Sequence, residues 1–213
     1  MTNKMTETQQ PELAIEELRS LYYLVRSLCK AQALGGVVTT FLEKLTDVVP
    51  FDLCTVILSN SDGRQFEITH AAGEHAASLV GRKIVSGEGV SGWVVANRHP
   101  FFNADPRLDL PPVLADRFDD YRTLAVVPIL NGNDLFGAVA LYSSTLFKYD
   151  ATHERLLNEA SGFLALALSA VSPPAPGDAP EKTINETIPM VAAPSINHSS
   201  RYPTYTPTSG LAN

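Results

Sequence analysis

The sequence predicts an α+β domain in which an antiparallel β-sheet is covered by helices from both ends of the folded part. Two hairpin signals support this prediction, because residues 60–63 and 131–134 are polar, glycine-containing turns between apolar segments. Long amphipathic patterns lie before the first predicted strand and after the last one. Strands joined by hairpins run antiparallel, and the helices outside the strand region then pack on the sheet.

The first predicted helix covers residues 11–32 and has a wide apolar stripe. Such a stripe can contact both its own domain and a partner helix. Its members, at alternating spacings of three and four, are Leu18, Leu21, Val25 and Leu28. Gly35-Gly36 is predicted to interrupt the helical pattern, and a second helix is predicted over residues 37–49.

Four segments are predicted as the strands of the two hairpins. The first hairpin pairs residues 53–58 with 66–71, and the second pairs 123–130 with 135–143. The segment 123–130 is apolar almost throughout, which is typical of a strand that is buried on both faces. Gly137 inside the last strand indicates a close backbone approach or a bulge.

The final helix is predicted to begin after Asp150 and to reach Val171. The Asp150 carboxylate can accept hydrogen bonds from the free N–H groups of the first turn. Two neighbouring apolar stripes run along this helix; one is expected to cover the sheet, and whether the other serves a dimer stays open. The first consists of Leu156, Ala160, Phe163, Ala167 and Val171, and the second of Leu157, Leu164 and Leu168.

The folded domain is predicted to span residues 11–171, between a flexible N-terminus over 1–10 and a disordered tail over 172–213. Residues 173–213 contain eight of the chain's fifteen prolines, mixed with Ser, Thr and Asn. Such a composition buries too little apolar surface to offset the entropy of ordering.

Composition argues against several classes of partner. A net charge of −7 does not favour sequence-independent binding of nucleic acid, nor electrostatic attraction to anionic lipid. No apolar run approaches the length of a membrane span, and the N-terminus lacks the apolar core of a signal peptide. We therefore expect a cytoplasmic protein without a nucleic-acid or membrane partner.

The glycine run Gly87-Glu88-Gly89-Val90-Ser91-Gly92 permits two interpretations. Its spacing satisfies the dinucleotide-binding fingerprint G-x-G-x-x-G, which requires a long helix after the glycines and a parallel βαβ unit. Here the helical pattern lasts only about two turns before His99-Pro100. We therefore favour the second interpretation, in which the glycines allow positive φ and close backbone approach in a tight connection.

The order of motifs around this run resembles a GAF domain, over about residues 18–171. The matching features are G-x-G-V-x-G-W-V at 87–94, an apolar pair followed by N-x-D-P at 101–106, the strands 121–129 and 135–141, and the final helix. The resemblance implies two terminal helices on one face of the sheet. Short helices, including one expected after Pro111-Pro112, would enclose a ligand pocket on the other face, and dimers would form through the terminal helices.

The resemblance does not identify the ligand or cofactor, since the family binds cyclic nucleotides, tetrapyrroles, amino acids and other metabolites. The cyclic-nucleotide signature N-K…F-x-x-x-D-E is not kept, because Gly132 follows Asn131 and Ala151 follows Phe147 at the acidic position. Bilin attachment and the methionine-sulfoxide reductases of this fold need cysteines near the pocket. Only Cys54 could approach it.

The sequence nevertheless favours six ligand-binding residues, if the domain is a sensor. Aromatic side chains near the glycine run would supply an apolar wall, and polar ones would orient the ligand. The candidates are Trp93, Phe102, Asn103, Arg107, Tyr121 and Thr123. In the alternative interpretation Trp93 and Phe102 belong to the core, and the Thr123 hydroxyl bonds to backbone.

No pattern indicates catalysis or a metal site. Both cysteines, Cys29 and Cys54, are expected to be buried thiols, and no metal-binding spacing is present. Asp105 and Asp109 are four residues apart, but Asp105-Pro106 is typical of a turn. We therefore expect a non-catalytic dimeric sensor that signals to a protein partner. The alternative is an interaction or scaffolding module whose pocket is closed by its own side chains.

Overall fold

Six strands form one antiparallel sheet in the computed structural model, which describes residues 9–60, 65–109 and 118–171, with side chains from 14 onward. The strands are β1 Leu53–Ser59, β2 Phe66–Gly73, β3 Lys83–Ile84, β4 Phe101–Ala104, β5 Thr123–Asn131 and β6 Asp134–Ser143. Their order across the sheet is β3-β2-β1-β6-β5-β4, and every neighbouring pair is antiparallel. The predicted α+β class is confirmed.

Four α-helices and two short 3₁₀ helices, Ala76–Ser78 and Pro106–Leu108, accompany the sheet in the described residues, and the bounds of the α-helices differ in places from the prediction. The α-helices are α1 Gln9–Leu28, α2 Leu34–Leu45, α3 Gly89–Asn97 and α4 Ala151–Val171. The prediction that Gly35-Gly36 interrupts the helical pattern was wrong, because both glycines lie in the first turn of α2. The first N–H groups of a helix have no partner within the helix, so glycine is tolerated there. The predicted N-terminus, tail and 111–117 segment lie almost entirely outside the described residues.

The helices are divided between the two faces of the sheet as expected. One face packs against α1, α2 and α4, through a core that includes Leu24, Phe41 and Leu157. The other face packs against α3, through a second core that includes Val94 and Tyr142. A long parallel βαβ unit is absent from the described fold, so the dinucleotide-binding interpretation of the glycine run is excluded.

The second hairpin has the predicted geometry. Gly132 adopts φ 59° in the turn between β5 and β6. Gly137 adopts φ 154°, and a Cβ atom at this position would lie 1.8 Å from the Ile57 carbonyl oxygen. The close backbone approach predicted at Gly137 is therefore confirmed. The turn of the first hairpin lies mostly outside the described residues, although β1 and β2 pair as predicted.

Helix α4 buries its second apolar stripe fully in the domain, whereas Phe163, Ala167 and Val171 of the first stripe are only partly buried. Leu157, Leu164 and Leu168 are buried in the same core as Leu156. The second stripe is therefore occupied by the domain itself and does not remain free for a partner. Only Leu166 among the large apolar residues of α4 is well exposed.

Helix α1 divides its apolar residues between two faces. Leu21, Leu24 and Leu28 are buried against the domain. Leu18 and Tyr22 are 69% and 58% exposed, and Ile15 lies on the same outer face. None of the helices in the described part of the chain has the length and apolar character of a membrane span.

Candidate functional site

One end of the sheet carries a cavity of about 440 Å³. The antiparallel register creates it, because β1 and β5 begin at this end, where β2 and β6 finish. Residues just outside these strand ends therefore meet in space although they are far apart in sequence. The lining consists of Phe51, Asp52, Glu74, His75, Asp120, Tyr121 and Ser144. Its volume lies within the range of small-molecule sites, about 300–1,000 Å³.

The Asp52 carboxylate is an acidic group of the cavity that is held by three hydrogen bonds. It accepts hydrogen bonds from the Ser144 N–H at 2.7 Å, the Ser144 hydroxyl at 2.9 Å and the Ser143 hydroxyl at 3.2 Å. The backbone N–H of Ser144 is the main reason that the pKa of Asp52 lies below its ordinary value. Asp52 is therefore ionised at neutral pH, and it also holds the chain where β6 ends.

The cavity is acidic. Glu74 and Asp120 line it together with Asp52, and no lysine or arginine lines it within the described part of the chain. Burial raises the pKa of Tyr121, and the three nearby carboxylates raise it further. Tyr121 therefore keeps its proton. No cluster of His, Cys, Asp or Glu among the described residues is arranged to hold a metal ion.

A row of aromatic rings connects the cavity with the face under α3. The rings of His75 and Phe118 lie 6.1 Å apart, those of Phe118 and Tyr121 lie 5.8 Å apart, and those of Tyr121 and Tyr142 lie 5.9 Å apart. Such separations are typical of favourable aromatic contacts. The buried Tyr142 hydroxyl in turn donates to the Asp109 carboxylate at 3.1 Å.

Asp109 closes the space between α3 and the sheet. Its carboxylate accepts the N–H of Ser91 at 2.7 Å and the Ser91 hydroxyl at 2.6 Å, within the first turn of α3. It thereby caps the helix in place of Glu88, which makes no side-chain cap. Gly89 allows this contact, since a Cβ there would lie 2.9 Å from an Asp109 oxygen.

Tyr121 alone among the six predicted ligand-binding residues lines this cavity. Trp93 is 39% exposed on the outer side of α3, where its ring contacts Phe101 edge-on at 5.7 Å. Phe102 points to the opposite face of the sheet and packs on the core under α1, α2 and α4. Thr123 is buried in β5 opposite Ser143.

The two remaining candidates make contacts within the chain. The Asn103 amide donates to the Tyr149 carbonyl at 2.7 Å and accepts the Tyr149 N–H at 3.1 Å. Arg107 is exposed and forms an ion pair with Asp105 at 2.6 Å. Asp105 also accepts the Arg107 N–H at 3.0 Å and begins a 3₁₀ turn, which confirms the predicted turn.

Sequence reasoning missed the acidic lining. The predicted strands already placed Asp52 before one strand end and Ser144 after another. The sequence did not show that β1 pairs with β6, and this pairing brings the two strand ends together. With that pairing, the residues that flank the four strand ends become candidates for one site.

The two cysteines differ in environment. Cys54 is buried in the core under the helices α1, α2 and α4, and burial raises the pKa of its thiol. The prediction that Cys29 is buried was wrong: it is exposed just after α1, because the buried face of that helix ends with Leu28.

Comparison with known proteins gives one family and many similar folds. The family model of the GAF domain matches residues 31–169. The GAF domain of a phosphoenolpyruvate-protein phosphotransferase from Coxiella burnetii is 20% identical, with a TM-score of 0.65 over 74% of this chain and 95% of that one. No curated protein sequence matches the chain.

Two further solved structures share the fold. A free methionine-R-sulfoxide reductase from Neisseria meningitidis, in complex with its substrate, is 18% identical, with a TM-score of 0.60 over 73% of this chain and 89% of that one. The GAF domain of a two-component sensor histidine kinase from Bacillus halodurans is 18% identical, with a TM-score of 0.56 over 66% of this chain and 97% of that one.

Proposed function

Because this chain belongs to the GAF domain family, we propose that it is a non-catalytic sensing module which binds a small cationic molecule in the cavity at the sheet end. It acts as a homodimer and passes the occupancy of the cavity to a protein partner. The acidic cavity is the observation that carries the proposal. The signalling role is supported by analogy with the GAF domain of the sensor histidine kinase, which has the same fold.

The ligand class follows from the charges of the lining. Three carboxylates line the cavity. Among the described lining residues, His75 is the only one whose side chain can carry a positive charge. An ammonium or similar group would be attracted to them, and the Tyr121 ring could contact it through its face. Phe51 offers apolar surface for the remainder of the ligand. Of the six residues predicted from sequence, the proposal keeps Tyr121 as a direct contact.

A non-catalytic role is supported by the burial of Cys54, the one cysteine that lies in the sheet. Reduction of a sulfoxide by a thiol needs a thiolate, and a buried thiol with a raised pKa is not ionised at neutral pH. Cys54 is such a thiol, and it lies on the face of the sheet opposite to α3. We expect no turnover of free methionine sulfoxide in the presence of a thiol reductant.

Dimerisation is supported by the outer face of α1. Ile15, Leu18 and Tyr22 follow one another at spacings of three and four and are exposed. This spacing is typical of a helix that packs along another helix. An exposed apolar stripe of this kind is uncommon on a monomer unless it contacts something.

Calorimetric titration tests the ligand proposal. The panel comprises a diamine, a quaternary amine, lysine and, as a charge-reversed control, succinate. We expect saturable binding of at least one cation, weaker by up to about fivefold in Asp120→Asn, because Asp120 is exposed and an exposed charge contact contributes about 0.2–1 kcal/mol. Asp47→Asn is the matched control, since Asp47 lines a different groove with Lys44.

Binding of succinate instead, or equal weakening by both variants, would contradict the cationic site. The second candidate function, a protein-interaction module without a ligand, is favoured by one separate observation. The space between α3 and the sheet is filled by Asp109, Tyr142 and Ser91, all of which are buried. If no cation of the panel binds, this second function becomes the better one.

A further inference from the structure

The loop that joins β6 to α4, residues 144–149, begins at the cavity and ends at a helix start. Ser144 lines the cavity. Tyr149 precedes Asp150, whose carboxylate accepts the N–H groups of Thr152 and His153 at 3.0 Å each and so caps α4. The loop is thus the shortest covalent path from the cavity to α4.

The first end of the loop is held by Asp52. Its carboxylate binds both the N–H and the hydroxyl of Ser144, as well as the Ser143 hydroxyl. The Ser143 oxygen accepts in turn the N–H of Thr145 at 3.2 Å. Asp52 itself lines the cavity. All three of these hydrogen bonds go to Asp52 Oδ2. A cation bound at Oδ1 would draw negative charge away from Oδ2 and so weaken the hydrogen bonds that hold the loop.

The second end of the loop is held by Asn103. Its side-chain amide bonds both the N–H and the carbonyl of Tyr149, in the manner of a strand partner. Asn103 adopts φ 56°, a left-handed conformation that Asn tolerates better than most residues. Only an amide side chain combines a donor and an acceptor at this reach. Asn103 is therefore a positioning residue for the start of α4.

Between these two ends the loop is weakly anchored. Thr145, Leu146 and Phe147 are exposed, and Phe147 is 72% exposed. Phe147 also adopts φ 51°, which is unusual and costly for a bulky residue. Since these three side chains bury little surface, the conformation of the loop depends on the bonds at Ser144 and Tyr149 and on the Tyr149 side chain, which is buried in the core.

We propose that the 144–149 loop transmits the state of the cavity to helix α4 through two linked contacts, Asp52 with Ser144 and Asn103 with Tyr149. Release of either contact relaxes the strain at Phe147 and loosens the other. The inference rests on the proposed function, because it treats the cavity as the ligand site. It adds the regulation of that site, namely that occupancy of Asp52 weakens the capped start of α4.

Amide hydrogen exchange of the full chain without any ligand tests this coupling. In Asp52→Ala we expect exchange to rise about tenfold at Ser144, as for the loss of one hydrogen bond, and also at residues 150–154, to which the Asp52 side chain makes no hydrogen bond within the described part of the chain. In Asn103→Ala we expect a rise at Tyr149 and also at Ser144, because coupling between two sites is reciprocal. Asp105→Ala is the matched control, since Asp105 lies two residues from Asn103 and its side chain bonds only Arg107 among the described residues.

Two more variants protect the experiment against a general loss of structure. Asp52→Asn keeps an oxygen for the Ser144 N–H, and Asn103→Asp keeps one for the Tyr149 N–H, so both should give smaller versions of the same cross-effects. Increases limited to Ser144 in the Asp52 variants and to Tyr149 in the Asn103 variants would overturn the inference. Because no ligand is used, this failure is distinct from a failure of the titration, which concerns only the cavity.

Discussion

The Asp109 carboxylate and the backbone N–H of Ser91 lie 2.7 Å apart, so the start of α3 is capped by a residue that follows the helix in sequence. The same carboxylate accepts the hydroxyls of Ser91 and Tyr142. One side chain therefore ties together a helix, the loop after β4 and the centre of the sheet.

Replacement of Asp109 by alanine should strongly destabilise the domain. We expect a loss of about 2–4 kcal/mol in the free energy of unfolding, because hydrogen bonds to a charged group contribute about 1.5–3 kcal/mol each and their losses are not additive. Asp109→Asn should lose less. Urea unfolding followed by the fluorescence of Trp93, the only tryptophan, measures both. A similar loss in the exposed control Asp105→Ala would refute a special role of Asp109.

The outer face of α1 should mediate dimerisation. We expect Leu18→Glu combined with Tyr22→Glu to give monomers in light scattering, since charges are costly in an apolar interface. Leu108→Glu is the matched control, because Leu108 is also exposed but lies in the 3₁₀ turn after β4 and not on α1. Leu21 is unsuitable for this test: it is buried in the protomer, and a charge there would unfold the domain. A monomeric wild-type protein at high micromolar concentration would refute the dimer.

Asp150 should make the stability of α4 depend on acid pH. The pKa of Asp150 is lowered, mainly by the N–H of His153. A lowered folded-state pKa means that the contribution is fully present above the unfolded pKa, about 3.9, and is lost as pH falls through the folded value.

The variant Asp150→Asn isolates this effect, because Asn also caps a helix but does not titrate. We expect the difference in stability between wild type and variant to shrink as the pH falls below about 4. Thermal unfolding over this pH range measures the difference. A difference that grows as the pH falls would mean that the sign is wrong.

The buried hydroxyl of Thr55 should lower the free energy of unfolding. Thr55 is fully buried in β1, between Ala71 and Ala140 on the neighbouring strands, and its hydroxyl has no hydrogen-bond partner among the described residues. Thr55→Val keeps the shape and removes the unpaired group, so we expect a gain of about 1 kcal/mol in urea unfolding. Destabilisation by the valine would show that the hydroxyl has a partner, and Thr69→Val, which removes a bonded hydroxyl, provides the comparison.

The architecture was largely predictable from local patterns. The hairpin turn at Gly132 and the cap at Asp150 depend on residues close in sequence, whereas Gly137 was predicted from its place in a strand pattern although the backbone it approaches is Ile57 on β1. The prediction failed at Gly35-Gly36. It assumed the free-energy cost that glycine has in a helix interior, whereas both glycines lie in the first turn of α2.

The contacts of the candidate site were not predictable in the same way. Asp52 binds Ser144 across 92 residues of sequence, and Asn103 binds Tyr149 across 46. Such contacts depend on which strands become neighbours in the sheet. A single sequence shows the hydrophobic periodicity of each strand more directly than the order of the strands. The N-x-D-P motif was visible in the sequence, and Asn103 was predicted to bind a ligand. In the structure its described hydrogen-bond partner is the main chain of Tyr149.

The contrast between the two cysteines gives the wild-type protein a natural attachment point for probes. A thiol-reactive spin label or fluorophore would react at the accessible Cys29 and leave the enclosed Cys54 unmodified. Cys29 lies one residue beyond the end of α1, so two copies that pack with α1 parallel would bring their labels close together. Antiparallel packing would separate them by roughly the length of the helix, about 30 Å for twenty residues. A single interspin distance therefore reads out the orientation of the assembly without any engineered mutation.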